Sequence, residues 1–145
     1  MRDYRSRIYQ HYGHAHNGNV SLAPQSIQGL SPRAPYLRRV IREYFPVDRN
    51  AKIMDLGCGH GAFIHFIREA GYANVLGVDR SPEQVAEAKR LGIDGVHEGD
   101  LMNTLQATPD ASQDVVIAFD VIEHFGKEEL LSFVDEVCRV LRSGG

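Results

Sequence analysis

Apolar positions recur with two different periods along this chain, and the alternation between them marks out strands and helices in turn. Short apolar runs at about Lys52–Leu56, Asn74–Val78, Gly95–His97 and Asp114–Phe119 read as strands. The last is apolar at successive positions, as a central parallel strand buried on both faces requires. Between them the spacing changes to that of a helix. Ser31-Pro32 opens one, with serine as N-cap and proline at the first helical position, and Leu37, Val40, Ile41 and Tyr44 form its stripe before Pro46 ends it. Phe63, Phe66, Ile67 and Ala70 share one face of a second helix that stops at Gly71. Ser81-Pro82-Glu83-Gln84 has the form of a capping box and starts a third, running to about Leu91 with Gly92 as its terminator. A final helix over about Lys127–Arg142 places Leu130, Val134, Val137 and Leu141 on one stripe. Glu128 and Glu129 open it and Arg139 and Arg142 close it, which suits the helix dipole. Residues 4–12 read as a short helix, residues 13–30 as an irregular lid-like segment, and residues 101–112 as a turn or short helix.

Strands alternating with helices imply an α/β fold with an open parallel sheet, helices on both faces and right-handed crossovers. The spatial strand order is then 3-2-1-4, reversing between strands one and four. Ligands in such sheets occupy the crevice at the carboxyl ends of the strands beside the reversal. Asp55, Asp79, Asp100 and Asp120 all fall at or just past those ends. The division expected is an N-terminal helical or lid segment over residues 1–49 and a ligand-binding core over residues 50–145.

The first strand runs directly into Gly57-Cys58-Gly59-His60-Gly61, with Asp55 two residues before the first glycine. Such a turn brings bare backbone N–H groups and a helix N-terminus up to a ligand. Gly57, Gly59 and Ala62 also satisfy the dinucleotide pattern G-x-G-x-x-G/A, so a nicotinamide-dependent oxidoreductase has to be weighed. A pyrophosphate over the turn would face the Asp55 carboxylate, at a cost on the order of a few kcal/mol in a partly dry site. A ligand with an ammonium group and no phosphate is attracted instead. Asp79 ends the second strand 22 positions after Gly57, where an acid can accept both hydroxyls of a ribose. In Val96-His97-Glu98-Gly99-Asp100 a third terminal acid is placed to suit an adenine amino group.

Composition narrows the class further. The 145 residues fit one domain, and 43% hydrophobic with 24% charged residues is the balance of an ordinary globular chain. No apolar run reaches the ~20 residues of a bilayer span. The segment Met1-Arg2-Asp3-Tyr4-Arg5 is not backed by the apolar core of a secretory signal, so a cytoplasmic protein is expected. Two cysteines make no disulfide framework. The net charge of −3 hides an asymmetry, since residues 1–49 carry eight arginines against three acids. Those arginines lack the interleaved aromatics of a nucleic-acid surface, and neither nucleic acid nor membrane is expected as a partner.

In this order, Asp55-Leu-Gly-Cys-Gly-x-Gly61, Gly77-Val-Asp79, Glu98-Gly-Asp-Leu101, Asp120-Val-Ile-Glu-His-Phe125 and Arg139-Val-Leu-Arg-Ser-Gly-Gly145 resemble a class I S-adenosylmethionine-dependent methyltransferase over roughly residues 50–145. The resemblance implies a Rossmann-like core and S-adenosylmethionine as cofactor. It implies contacts from Asp55 to the donor's ammonium, from Gly57, Cys58, Gly59 and Gly61 through the turn, and from Asp79 to ribose, with Arg80 beside it. Asp100 and Leu101 would meet adenine, and Phe119 and Asp120 would line the crevice floor. Cys58 itself reads as a small packing residue. The relatives to which Asp120–Phe125 points act on small molecules, so the expected acceptor is an oxygen or nitrogen of a quinone-ring precursor, sugar or natural product. The family continues through a fifth strand and a hairpin after the Gly-Gly turn. This chain ends at Gly145, so further chain or a second copy is expected to cover strand four.

His124 is the candidate base, because an imidazole titrates near neutrality and can take a proton from an oxygen or nitrogen nucleophile. The plainer alternative is a histidine that only hydrogen-bonds at the start of the last helix. Asp120-x-x-Glu123-His124 also resembles the metal motif of some RNA 2′-O-methyltransferases and quinone-ring O-methyltransferases, though no metal is assigned. His11, His14 and His16 look ligand-like, but they sit in an N-terminal stretch with no helical face to align all three. Tyr9 and Tyr12 are placed to close over the cofactor. A non-catalytic scaffold that keeps the fold is the remaining alternative.

Overall fold

The computed structural model describes residues 24–145. The expected helix at Tyr4–Tyr12, the aromatic pair and the histidine cluster lie outside those residues. Strands β1 (Ile53–Leu56), β2 (Val75–Asp79), β3 (Val96–Glu98) and β4 (Val115–Ile117) form one sheet in the order β3-β2-β1-β4. Every pairing is parallel, with Ile53 opposite Val75 on one side and Val115 on the other. Helices α1 (Ala34–Tyr44), α2 (Ala62–Glu69), α3 (Pro82–Arg90), α4 (Leu101–Ala107) and α5 (Lys127–Val140) connect or follow them.

The sheet divides the core in two. Ile53 joins Leu37 and Ile41 of α1, Phe63, Ile64 and Ile67 of α2 and Val85 of α3 in one apolar cluster. Met54 and Leu56, the alternate residues of β1, join Leu105 of α4 with Phe133 and Val140 of α5 in another. Period-two alternation therefore explains why all four residues of β1 are buried, Asp55 among them. Glycine at position 77 keeps β2 thin, because a Cβ there would strike Ile64 and the Cys58 side chain.

Several local expectations change. Ser31 does not cap the first helix. A 3-10 turn spans Ile27–Arg33 with Pro32 inside it, and the amide of Ala34 bonds back to the Ser31 carbonyl before α1 begins. Tyr44 is 76% exposed, since α1 ends there and Phe45 turns inward against Phe63 and Tyr72. β4 is shorter than Asp114–Phe119 and only partly buried along Val115 and Val116, having a strand partner on one side. On its other side the chain returns after α5, making a single parallel bridge between Gln113 and Leu141.

The last helix turns a different face inward than its spacing suggested. Phe133 and Val140 are buried and Val137 packs beside them, whereas Leu130 and Val134 are exposed. Arg139 fixes that rotation with bonds to the Leu105 and Thr108 carbonyls, to Glu136 and to Asp110. Arg142 lies beyond the helix end, where its guanidinium grips both carboxylate oxygens of Asp114 at 2.6 and 2.7 Å.

Candidate active site

A cavity of about 850 Å³ opens at the carboxyl ends of β1, β2 and β4, beside the point where strand order reverses. Its size is within the range of small-molecule sites. Asp55, Gly57, Cys58, Gly59, Asp79, Arg80, Asp100, Leu101, Phe119, Asp120 and His124 all line it. Gly61 does not. It holds φ at 81° as the residue preceding α2, and a Cβ there would press on Ile93 and Val96.

The glycine turn is tied down from within, which corrects the expectation of bare amides facing a ligand. Gly57 and Cys58 donate their N–H groups to the Val78 carbonyl at 2.8 and 3.1 Å, and Gly61 donates to Cys58. Gly59 donates to Asp79 Oδ2 at 2.7 Å. The other oxygen, Asp79 Oδ1, accepts from the Ser81 amide at 2.8 Å. One carboxylate thus joins the turn after β1 to the start of α3. Gly57 needs its positive φ of 72° for this path, and a Cβ would also strike Val121.

Two acids crowd this end of the sheet. Asp55 is 3% exposed, and burial, reinforced by the nearby Asp79 charge, raises its pKa to about 7. Asp79 is also raised, first by burial, with the Ser81 and Gly59 amides opposing the shift. Burial likewise pushes the Cys58 thiol up, so the residue stays protonated and is no nucleophile. Asp100 caps α4, its Oδ1 accepting from the Met102 and Asn103 amides at 3.0 Å each, while Oδ2 lies 3.9 Å from Arg80.

The cavity mouth is aromatic. Phe119 stacks on Phe63 with centroids 5.4 Å apart and meets Tyr36 at 6.3 Å. Tyr36 and Phe119 remain 61% and 41% exposed. Asp120 follows with φ at 54°, a strained value for a non-glycine residue beside a cavity. His124 Nε2 lies 3.9 Å from Glu123 Oε1. Among the described residues no three His, Cys, Asp or Glu side chains gather as a metal-binding group, Asp120, Glu123 and His124 included. No helix among them is long and apolar enough to cross a membrane.

Among the lining residues that sequence reasoning missed, four bear on the chemistry of the site. Arg33 and Tyr36 arrive from the segment before β1, and His60 and Gln84 face each other between the glycine turn and α3. Tyr36 lies one position from Leu37 of the stripe, and no spacing rule marks such a flank. His60 stands inside the turn, where the flanking glycines signal a backbone role and nothing local marks its side chain.

A four-stranded parallel sheet in this order, with acids at its carboxyl ends and a glycine turn after β1, defines the fold of S-adenosylmethionine-dependent methyltransferases. The chain belongs to the methyltransferase domain family, whose model matches residues 54–145. It is 36% identical over 94 residues to a probable S-adenosylmethionine-dependent methyltransferase of Mycolicibacterium smegmatis, a match covering 64% of this chain and 35% of that protein. It is 29% identical over 155 residues to ajmaline N-methyltransferase of Rauvolfia serpentina, covering 98% of this chain and 50% of that one. The crystal structure of a methyltransferase of the same cofactor class from Archaeoglobus fulgidus has the same fold, with a TM-score of 0.68 at 23% identity over 97% of this chain and 54% of the other. The chain spans half or less of the length of these two curated relatives.

Proposed function

We propose that the cavity binds S-adenosylmethionine and that the protein moves its methyl group to an oxygen or nitrogen of a small molecule. One observation carries the donor assignment. The amides that would cradle a pyrophosphate are already committed, Gly59 to Asp79 and Gly57 and Cys58 to Val78, while Asp55 and Asp79 place two acids beside them. Such a wall repels phosphate and attracts an ammonium and a diol. This favours the methyl donor over a nicotinamide dinucleotide.

The residues divide the work by position. Asp55 stands where it can neutralise the amino acid's ammonium, and an opposite charge there offsets the burial that raises its pKa. Asp79 has spent one lone pair of each oxygen on Gly59 and Ser81, leaving the others for ribose hydroxyls. Leu101 and Met102 offer an apolar wall near Asp100 for a purine. Bound here, the donor supplies an electrophilic methyl on a sulfonium that becomes a neutral thioether. Tyr36, Phe63 and Phe119 exclude water from the mouth and help hold an acceptor in line, and orientation alone can contribute ~7–11 kcal/mol. His124 takes the proton that the acceptor loses. Similarity to a protein named for N-methylation supports a nitrogen acceptor within this range.

The test is transfer of labelled methyl from S-adenosylmethionine to a metabolite extract. Label entering a small molecule supports the reading. A folded chain that binds donor yet transfers nothing to any acceptor would place it among scaffolds.

A further inference from the structure

We infer that His60 is a ligand-binding residue of this cavity, its Nε2 accepting a hydrogen bond from an N–H or O–H of the bound nucleoside while Gln84 holds the ring in the tautomer that permits it. The inference rests on the donor-site reading above. His60 lines the cavity and is 8% exposed. Its Nδ1 lies 3.2 Å from Gln84 Oε1, itself on a buried side chain. An amide oxygen can only accept, so Nδ1 carries the hydrogen and Nε2 presents a lone pair. That Nε2 is buried and has no hydrogen-bond partner among the described residues. Buried polar atoms are nearly always paired, and one left over on a residue that lines a cavity points to a group that arrives with the ligand.

The start of α3 shows how the pair is set up. In Ser81-Pro82-Glu83-Gln84 the glutamine side chain would ordinarily reach back to the Ser81 amide. Here Ser81 Oγ accepts from the Gln84 amide at 3.4 Å, but the Ser81 amide is bound by Asp79 Oδ1 instead. The Gln84 side chain is thereby released to orient His60. Burial keeps the imidazole pKa below its ordinary value, a direction that the Arg33 charge reinforces and that Gln84, Glu87 and Asp79 oppose. The ring is therefore neutral and its lone pair available. With Asp55 and Asp79 it completes a wall of acceptors, suited to a ligand whose edge is rich in hydroxyl and amino hydrogens.

The experiment is titration of the whole chain with S-adenosylhomocysteine by calorimetry, alongside nitrogen NMR of the His60 ring. His60→Phe keeps the ring volume without the lone pair and is expected to weaken binding about tenfold. Gln84→Leu, which frees the tautomer, is expected to weaken it similarly, and the double variant no further than either alone. In the wild-type chain the Nε2 resonance should move when ligand is added, a reading that needs no variant to fold. An unmoved resonance, or a folded His60→Phe that binds as tightly as wild type, overturns the inference alone. A folded wild-type chain that does not bind at all overturns the donor-site reading and this inference with it.

Discussion

Asp79 Oδ2 lies 2.7 Å from the amide nitrogen of Gly59, so the last residue of β2 holds the turn that follows β1. Its second oxygen holds Ser81, the residue that caps α3. The geometry of the glycine turn and the direction of α3 therefore share one carboxylate.

Asp79→Ala should damage binding more than stability. Two amides lose an acceptor, each worth on the order of 1–3 kcal/mol if left unsatisfied. Removing a buried charge offsets part of that, because burial already disfavours the ionised form. Net destabilisation of about 1–2 kcal/mol by urea melts is expected, together with a fall in S-adenosylhomocysteine affinity of about a hundredfold or more as the diol acceptor is lost.

Asp55 gives the site a defined pH dependence. Its folded pKa of about 7 stands above the unfolded value, so between about pH 4 and pH 7 the folded chain binds more protons than the unfolded one. Its contribution to unliganded stability is thus greatest when protonated and declines as pH rises through that window. Asp55→Asn should raise the melting temperature at pH 8 and leave it nearly unchanged at pH 4. A ligand ammonium favours the ionised form, so binding at pH 6 should release a proton. The binding enthalpy should then vary with the ionisation enthalpy of the buffer at pH 6 and cease to do so above pH 8. Asp55→Asn should abolish the proton release.

The two cysteines should differ sharply towards alkylation. Cys138 is exposed on α5, while Cys58 is half-buried with its thiol pushed up. Iodoacetamide at pH 8 should modify Cys138 quickly and Cys58 only on unfolding, as read by peptide mass. Cys58→Ser should retain donor binding.

His124→Gln should lower kcat by about 10²–10⁴-fold if the imidazole accepts the acceptor's proton, with the affinity for S-adenosylhomocysteine unchanged. An unaltered kcat would assign His124 to structure alone.

How far the sequence carried depends on how local each signal is. β1, the glycine turn and the acid at the end of β2 are compact patterns in which a few neighbouring residues dictate the backbone, and all three stand where expected. Sheet order followed from the handedness of crossovers. The rotation of α5 did not follow, because apolar residues cover more than one of its faces and the contacts of Arg139 with α4 and the residue after it decide which turns inward. The start of α1 was missed because Ser31-Pro32 satisfies the rules for a helix start, yet Pro32 fits equally inside a 3-10 turn. The Ser81–Gln84 signature predicts a complete capping box. Only the serine half forms, since Asp79, distant from no one in space but outside the motif, takes the other amide.

The most direct test of the account is calorimetric titration of the folded chain with S-adenosylhomocysteine and, separately, with NAD. Micromolar binding of the first, lost in Asp79→Ala and absent for NAD, is the predicted result. Binding of NAD in preference to the nucleoside, insensitive to Asp55 and Asp79, would contradict it.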